Sequence, residues 1–134
     1  MKKILFSSVI LTLLLTACGD FQWLPERAEI PILTPATFTD KCPVNVNEDV
    51  VSAEEITVTG ITKSVQVAIK DGEYSLDSGT TWKSDTADIS SGQKIKVRTK
   101  VTADNTLVIV RLSVGAANAT FRVRSGACMQ NTPN

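Results

Sequence analysis

Over most of this chain apolar and polar side chains alternate at every second position. Ile95, Val97, Thr99 and Val101 interleave with Lys94, Lys96, Arg98 and Lys100. Val108, Val110, Leu112 and Val114 form a second series, and Ala119, Phe121 and Val123 against Thr120, Arg122 and Arg124 a third. Earlier, Ile56, Val58 and Gly60 alternate with Thr57 and Thr59, and Val65, Val67 and Ile69 with Gln66 and Ala68. A pleated strand sends successive side chains to opposite faces, so each series predicts a half-buried strand. Phe38 opens a shorter extended piece. Tyr74 and Leu76 continue past Asp71-Gly72, a dipeptide that supplies the positive φ of a tight hairpin. Further turn signals fall at Ser91-Gly92, Ala103-Asp104-Asn105 and Gly115. No segment carries a helical period. The expected fold is all-β, a small antiparallel sandwich of about seven strands with one apolar face per sheet.

The start of the chain has another pattern. Lys2 and Lys3 precede an apolar run from Ile4 to Leu15 that only Ser7, Ser8 and Thr12 interrupt, and small Ala17 stands just before Cys18. This is the layout of a secretory signal. A spanning helix needs about 20 apolar residues, more than this run provides. The ending Leu15-Thr16-Ala17-Cys18 resembles the bacterial lipobox. That resemblance implies removal of residues 1–17, a diacylglyceryl thioether on Cys18 and an acylated new N-terminus. Each buried methylene of an acyl chain contributes about 0.8 kcal/mol and one chain is marginal, so several make the anchoring durable. Gly19 follows the cysteine and Asp20 comes one place later. Under the sorting rule of that family, this order implies the outer membrane of a bacterial envelope, on its periplasmic or exposed side.

Residues 18–36 then read as the lipidated cysteine and a tether. Pro25, Pro31 and Pro35 stiffen it, and an extended form of about 3.1 Å per residue reaches roughly 50 Å. Phe21, Trp23 and Leu24 beside the lipidated end suit the head-group layer of a membrane, or else packing on the domain. The sandwich is expected over residues 37–128, with a disordered tail at 129–134.

Composition narrows the chemistry. The chain holds 14 basic and 14 acidic residues, and loss of Lys2 and Lys3 leaves 12 against 14. That balance gives no general attraction to nucleic acid. The chain has no histidine, which excludes a Ser-His-Asp triad, His-ligated zinc and His-ligated haem. No cofactor is implied.

The order Glu55 to Ile61, Gly72 to Leu76, Thr81-Trp82, Ser91-Gly92-Gln93, Ile95 to Arg98 and Ala119 to Val123 resembles the small immunoglobulin-like modules of bacterial envelope lipoproteins and surface proteins. The resemblance covers about Phe38 to Ser125. It implies a fold and a setting, and no common catalytic site.

Within it, Ser75-Leu76-Asp77-Ser78-Gly79-Thr80-Thr81-Trp82 fits the Asp-box pattern S-x-D-x-G-x-T-W of sialidases and several unrelated extracellular proteins. Its physical task is a hairpin. Asp77 accepts backbone N–H groups, Gly79 takes positive φ and Trp82 covers the base; Ser75 and Thr81 complete the motif. A propeller enzyme needs several blades, and sialidase chemistry needs an arginine cluster and a tyrosine nucleophile. Tyr74 is the only tyrosine, and its strand phase points it inward.

Cys42 and Cys128 remain beyond the lipobox. An exported protein with such a pair most often closes a disulfide; free or intermolecular thiols are the alternative. In immunoglobulin-like folds a first-strand segment often pairs in parallel with the last strand, which implies that both cysteines leave the sheet at the same end.

The basic residues form two outward stripes: Lys94, Lys96, Arg98 and Lys100 on one strand, and Arg111, Arg122 and Arg124 on two others. Outward cations protect sheets from unwanted pairing, and they also suit an anionic surface such as lipid head groups, polysaccharide or an acidic partner. Asp85 and Asp88 with Asp71 and Glu73 lack the fixed spacing of a calcium loop, so no metal is expected. Two function classes stand. The first is a noncatalytic lipoprotein acting as a binding, adhesion or accessory module through an envelope protein or polysaccharide partner. The second is an envelope enzyme or small-ligand, carbohydrate-binding protein on the same sandwich.

Overall fold

A computed structural model of the chain describes residues 27–129. The expectations for the signal segment, Cys18, Phe21, Trp23 and Leu24 lie outside the described residues, as does the tail beyond Met129. Within them the chain is all-β, with ten strands and no helix.

The strands form two five-stranded sheets. In the first, β1 (Ile32–Thr34) pairs with β4 (Ile56–Thr59), which pairs with β8 (Lys94–Lys100). β3 (Asp49–Val51) continues the β4 side of β8, and β6 (Glu73–Ser75) takes its other edge. The second sheet has the order β2 (Lys41–Val44), β10 (Ala117–Ser125), β9 (Leu107–Val114), β5 (Val65–Lys70) and β7 (Ala87–Ile89). Every described pairing is antiparallel except that of β2 with β10.

The core follows from the alternation. Ile95 and Val97 of β8, Val110, Leu112 and Val114 of β9, and Ala119, Phe121 and Val123 of β10 are all buried. Ile56, Val58, Val67, Tyr74, Ile89 and Phe38 meet them between the sheets. Phe38 and Phe121 stand edge-on with ring centroids 6.0 Å apart. Fully burying a side chain of this size contributes about 1.5–3 kcal/mol, so this layer is the principal stabilising feature.

Three features differ from the sequence reading. There are ten strands where about seven were expected: Phe38 lies just before β2 and not in a strand, and β1, β2, β3 and β7, of three or four residues each, are too short to carry a period of their own. Asp71-Gly72 does not close a hairpin: β5 and β6 belong to different sheets, and the dipeptide is the corner between them. Asp71 adopts φ 63° there, and a Cβ on Gly72 would stand 2.7 Å from the Arg98 carbonyl oxygen. Thr99 Oγ1 donates to the Asp71 carbonyl at 2.8 Å and fixes that corner. Finally, β1 lies inside the stretch read as tether, since Leu33 sits opposite Val58 in a regular ladder.

The break between β3 and β4 is bridged by buried Ser52. Its N–H donates to the Val97 carbonyl at 2.8 Å, and its Oγ accepts the Val97 N–H at 3.2 Å while donating to the Glu54 carbonyl at 2.9 Å. The ladder along β8 is thereby continued through a residue that belongs to neither strand. Ser125 does similar work at the other sheet: its Oγ donates to Ala103 at 2.7 Å and accepts from the Thr106 N–H at 3.1 Å.

Candidate functional site

The Asp-box segment folds as a closed hairpin. After β6 the chain returns so that Tyr74 and Lys83 exchange both backbone hydrogen bonds at 2.9 Å. Inside this loop Ser75 Oγ donates to Asp77 Oδ1 at 2.6 Å and accepts the Gly79 N–H at 2.8 Å. Asp77 Oδ1 also accepts the Thr81 N–H at 2.8 Å. The Ser75 hydroxyl above all, and then Thr81, hold the Asp77 carboxyl down at about 2. Gly79 takes φ 93°, and a Cβ there would stand 3.3 Å from the Trp82 ring.

That ring is itself engaged. The Arg98 guanidinium lies 4.6 Å from the Trp82 ring centroid, and Arg98 Nε donates to Glu73 at 2.6 Å. Trp82 is half-buried, and a cation over an indole contributes about 0.5–1 kcal/mol where the pair is exposed and more as it is desolvated. Ser75, Asp77, Gly79, Thr81 and Trp82 therefore build a turn fastened to the outer face of β8. Tyr74 is fully buried beneath it and donates its hydroxyl to the Asp85 carbonyl at 2.7 Å. Burial, followed by the charge of Asp85, raises its phenol.

The two basic stripes lie on opposite outer faces, because β8 belongs to one sheet and β9 and β10 to the other. The β8 stripe is partly neutralised: Arg98 pairs with Glu73, and Lys100 with Asp49 at 3.6 Å. Lys94 and Lys96 extend from the same strand, half-buried or exposed. On the other face Arg111 pairs with Asp71 at 3.8 Å. Arg122 and Arg124 meet no carboxylate within ion-pair distance among the described residues.

Cys42 and Cys128 are joined as a disulfide, with Cα atoms 5.6 Å apart. It links β2 to the segment just after β10, where Lys41 stands opposite Val123 in the parallel ladder. Beside the bridge is a shallow hollow of about 210 Å³, lined by Lys41, Leu107, Arg122, Arg124 and Met129 with Asp40 and the two cysteines. Nε of Arg124 is buried without a hydrogen-bond partner among the described residues. Leu107 and Met129 are 45% and 79% exposed. Sequence reasoning missed these two. Leu107 was legible as an apolar residue on the outward phase of β9, opposite Arg124.

A second unpredicted feature fixes where the chain enters the sandwich. Glu29 accepts the Thr62 N–H and the Thr62 hydroxyl, each at 2.6 Å. The Thr62 hydroxyl, then its N–H, lower the Glu29 carboxyl. Pro31 is buried, its ring 3.4 Å from the Cβ position of Gly115 in the β9–β10 turn. Entry is therefore at the end of β10 remote from the disulfide. Asp71, Glu73, Asp85 and Asp88 do not converge; among the described residues no group of three or more potential ligands is placed to hold a metal ion.

Comparison with family models, with curated proteins and with solved structures finds no match to this chain.

Proposed function

We propose that this chain is a lipid-anchored bacterial envelope lipoprotein, held at the outer membrane through Cys18, whose immunoglobulin-like sandwich acts as a noncatalytic binding, adhesion or accessory module. The observation that carries this reading is Leu15-Thr16-Ala17-Cys18 placed after a basic start and a short apolar run. The disulfide adds support, since such bridges persist in oxidising compartments outside the cytoplasm. The Glu29 clamp supports it as well: a domain tied down at its entry point transmits a fixed attachment to whatever precedes it. The parallel pairing of β2 with β10 supports the immunoglobulin-like arrangement.

A noncatalytic role is favoured by what the polar groups do. Ser75 and Asp77 spend their hydrogen bonds on their own turn, and Tyr74 is turned inward. Feeding cells an alkyne-tagged fatty acid tests the anchoring: the chain is expected to carry the tag and sediment with outer membranes, and Cys18→Ser to lose both. Tagging that survives Cys18→Ser would overturn it.

A further inference from the structure

The disulfide-side hollow sets arginine side chains beside exposed apolar ones. Arg122 and Arg124 both line it, two residues apart on the outward phase of β10. Arg98, Lys100 and Arg111 each face a carboxylate, and Lys94 and Lys96, which do not among the described residues, line none of the hollows described. The buried Nε of Arg124 has no acceptor, and a buried donor left without a partner costs about 1–3 kcal/mol. A guanidinium offers several donors in a planar fork that matches a carboxylate.

We infer that this hollow is a recognition site for an acidic segment of a protein partner, in which one carboxylate reaches Arg122 and Arg124 and a neighbouring apolar side chain rests on Leu107 and Met129. The apolar lining decides between anionic ligands. Leu107, Met129 and the disulfide present hydrocarbon and sulfur, which a polyhydroxylated chain would leave against its hydroxyl groups. Among the described residues no aromatic ring lines the hollow to stack on a sugar. Lys41 also lines it, and Asp40 sets one carboxylate against three cations, a modest positive balance that suits an isolated carboxylate. Lipid head groups are disfavoured by position. The chain enters beside Gly115, and the eight residue-to-residue steps from Ala116 to Arg124 carry the chain about 26 Å toward the opposite end. That last point rests on the anchoring proposed above; binding by the hollow does not.

The test is a nuclear magnetic resonance titration of the full lipidated chain in zwitterionic micelles, following the arginine Nε–H signals. The probe is an end-blocked peptide of alternating glutamate and leucine. The Arg124 signal is expected to shift saturably while that of Arg111 stays in place. Arg122→Gln and Arg124→Gln are each expected to weaken binding about tenfold, the size of a lost charged hydrogen bond. Arg122 is exposed, so its replacement keeps the test valid even where Arg124→Gln disturbs the fold. A glutamine–leucine peptide binding equally well would overturn the inference, as would stronger responses to polygalacturonate or to phosphatidylglycerol vesicles. Repeating the titration on Cys18→Ser separates the two proposals: that chain lacks the anchor and is expected to bind the peptide unchanged.

Discussion

Asp77 organises its turn by accepting two short hydrogen bonds at one oxygen. Its carboxyl is held at about 2, below the ordinary 3.8. A carboxyl with a lowered folded value stabilises above its unfolded value and loses that contribution as pH falls through the folded one. The turn should therefore be intact above about pH 4 and loosen toward pH 2. Trp82 reports it, provided Trp23 is first replaced by Phe. Emission of Trp82 is expected to shift in that interval, and Asp77→Asn to show the shifted emission already at neutral pH with no acid step. Identical acid profiles for the two chains would show that Asp77 does not hold the loop. The same motif was legible from its residues because a turn is local: Ser75, Asp77, Gly79 and Thr81 lie within hydrogen-bond reach through sequence proximity alone. What Arg98 does to Trp82 was not legible, because it depends on which strand pairs with β6.

At the scale of elements, the long strands were readable and the short ones were not. β8, β9 and β10 alternate over seven, eight and nine residues, long enough for one face to be recognisable as core. β1 and β3 span three residues each, and their existence depends on finding an open edge of β4 or β8. Asp71-Gly72 carries the same residues as a hairpin turn, yet here the chain changes sheets, since the tight approach of the Arg98 carbonyl rather than strand pairing requires the glycine. β2 is an edge strand of its sheet, with a register shift in its ladder to β10. The disulfide holds it there. Closing a separation of 86 residues stabilises by roughly 4–5 kcal/mol in the chain-entropy model. Replacing Cys42 and Cys128 together by Ser is expected to lower the melting temperature through this loop term and, by releasing β2, to speed hydrogen exchange at residues 41–44 beyond the loss shared with β8 and β9. Loss of protection no greater at residues 41–44 than across both sheets would argue against a locally acting bridge.

For the whole molecule, the two ends of the sandwich have different tasks. One receives the chain, through Glu29 on Thr62 and Pro31 against Gly115. The other carries the disulfide and the arginine-lined hollow. From Cys18 to Arg27 an extended chain spans at most about 30 Å, shorter than a tether running to residue 36 would allow, because β1 and the Glu29 clamp already belong to the domain. The account then predicts a module standing near its membrane with its recognition end outermost. Everything in that picture depends on Cys18. The most direct test is the mass of the N-terminal peptide from chain purified out of bacterial membranes. The account predicts a peptide that begins at Cys18 and carries a diacylglyceryl group with a further acyl chain; one that begins at Met1, or an unmodified Cys18, would contradict it.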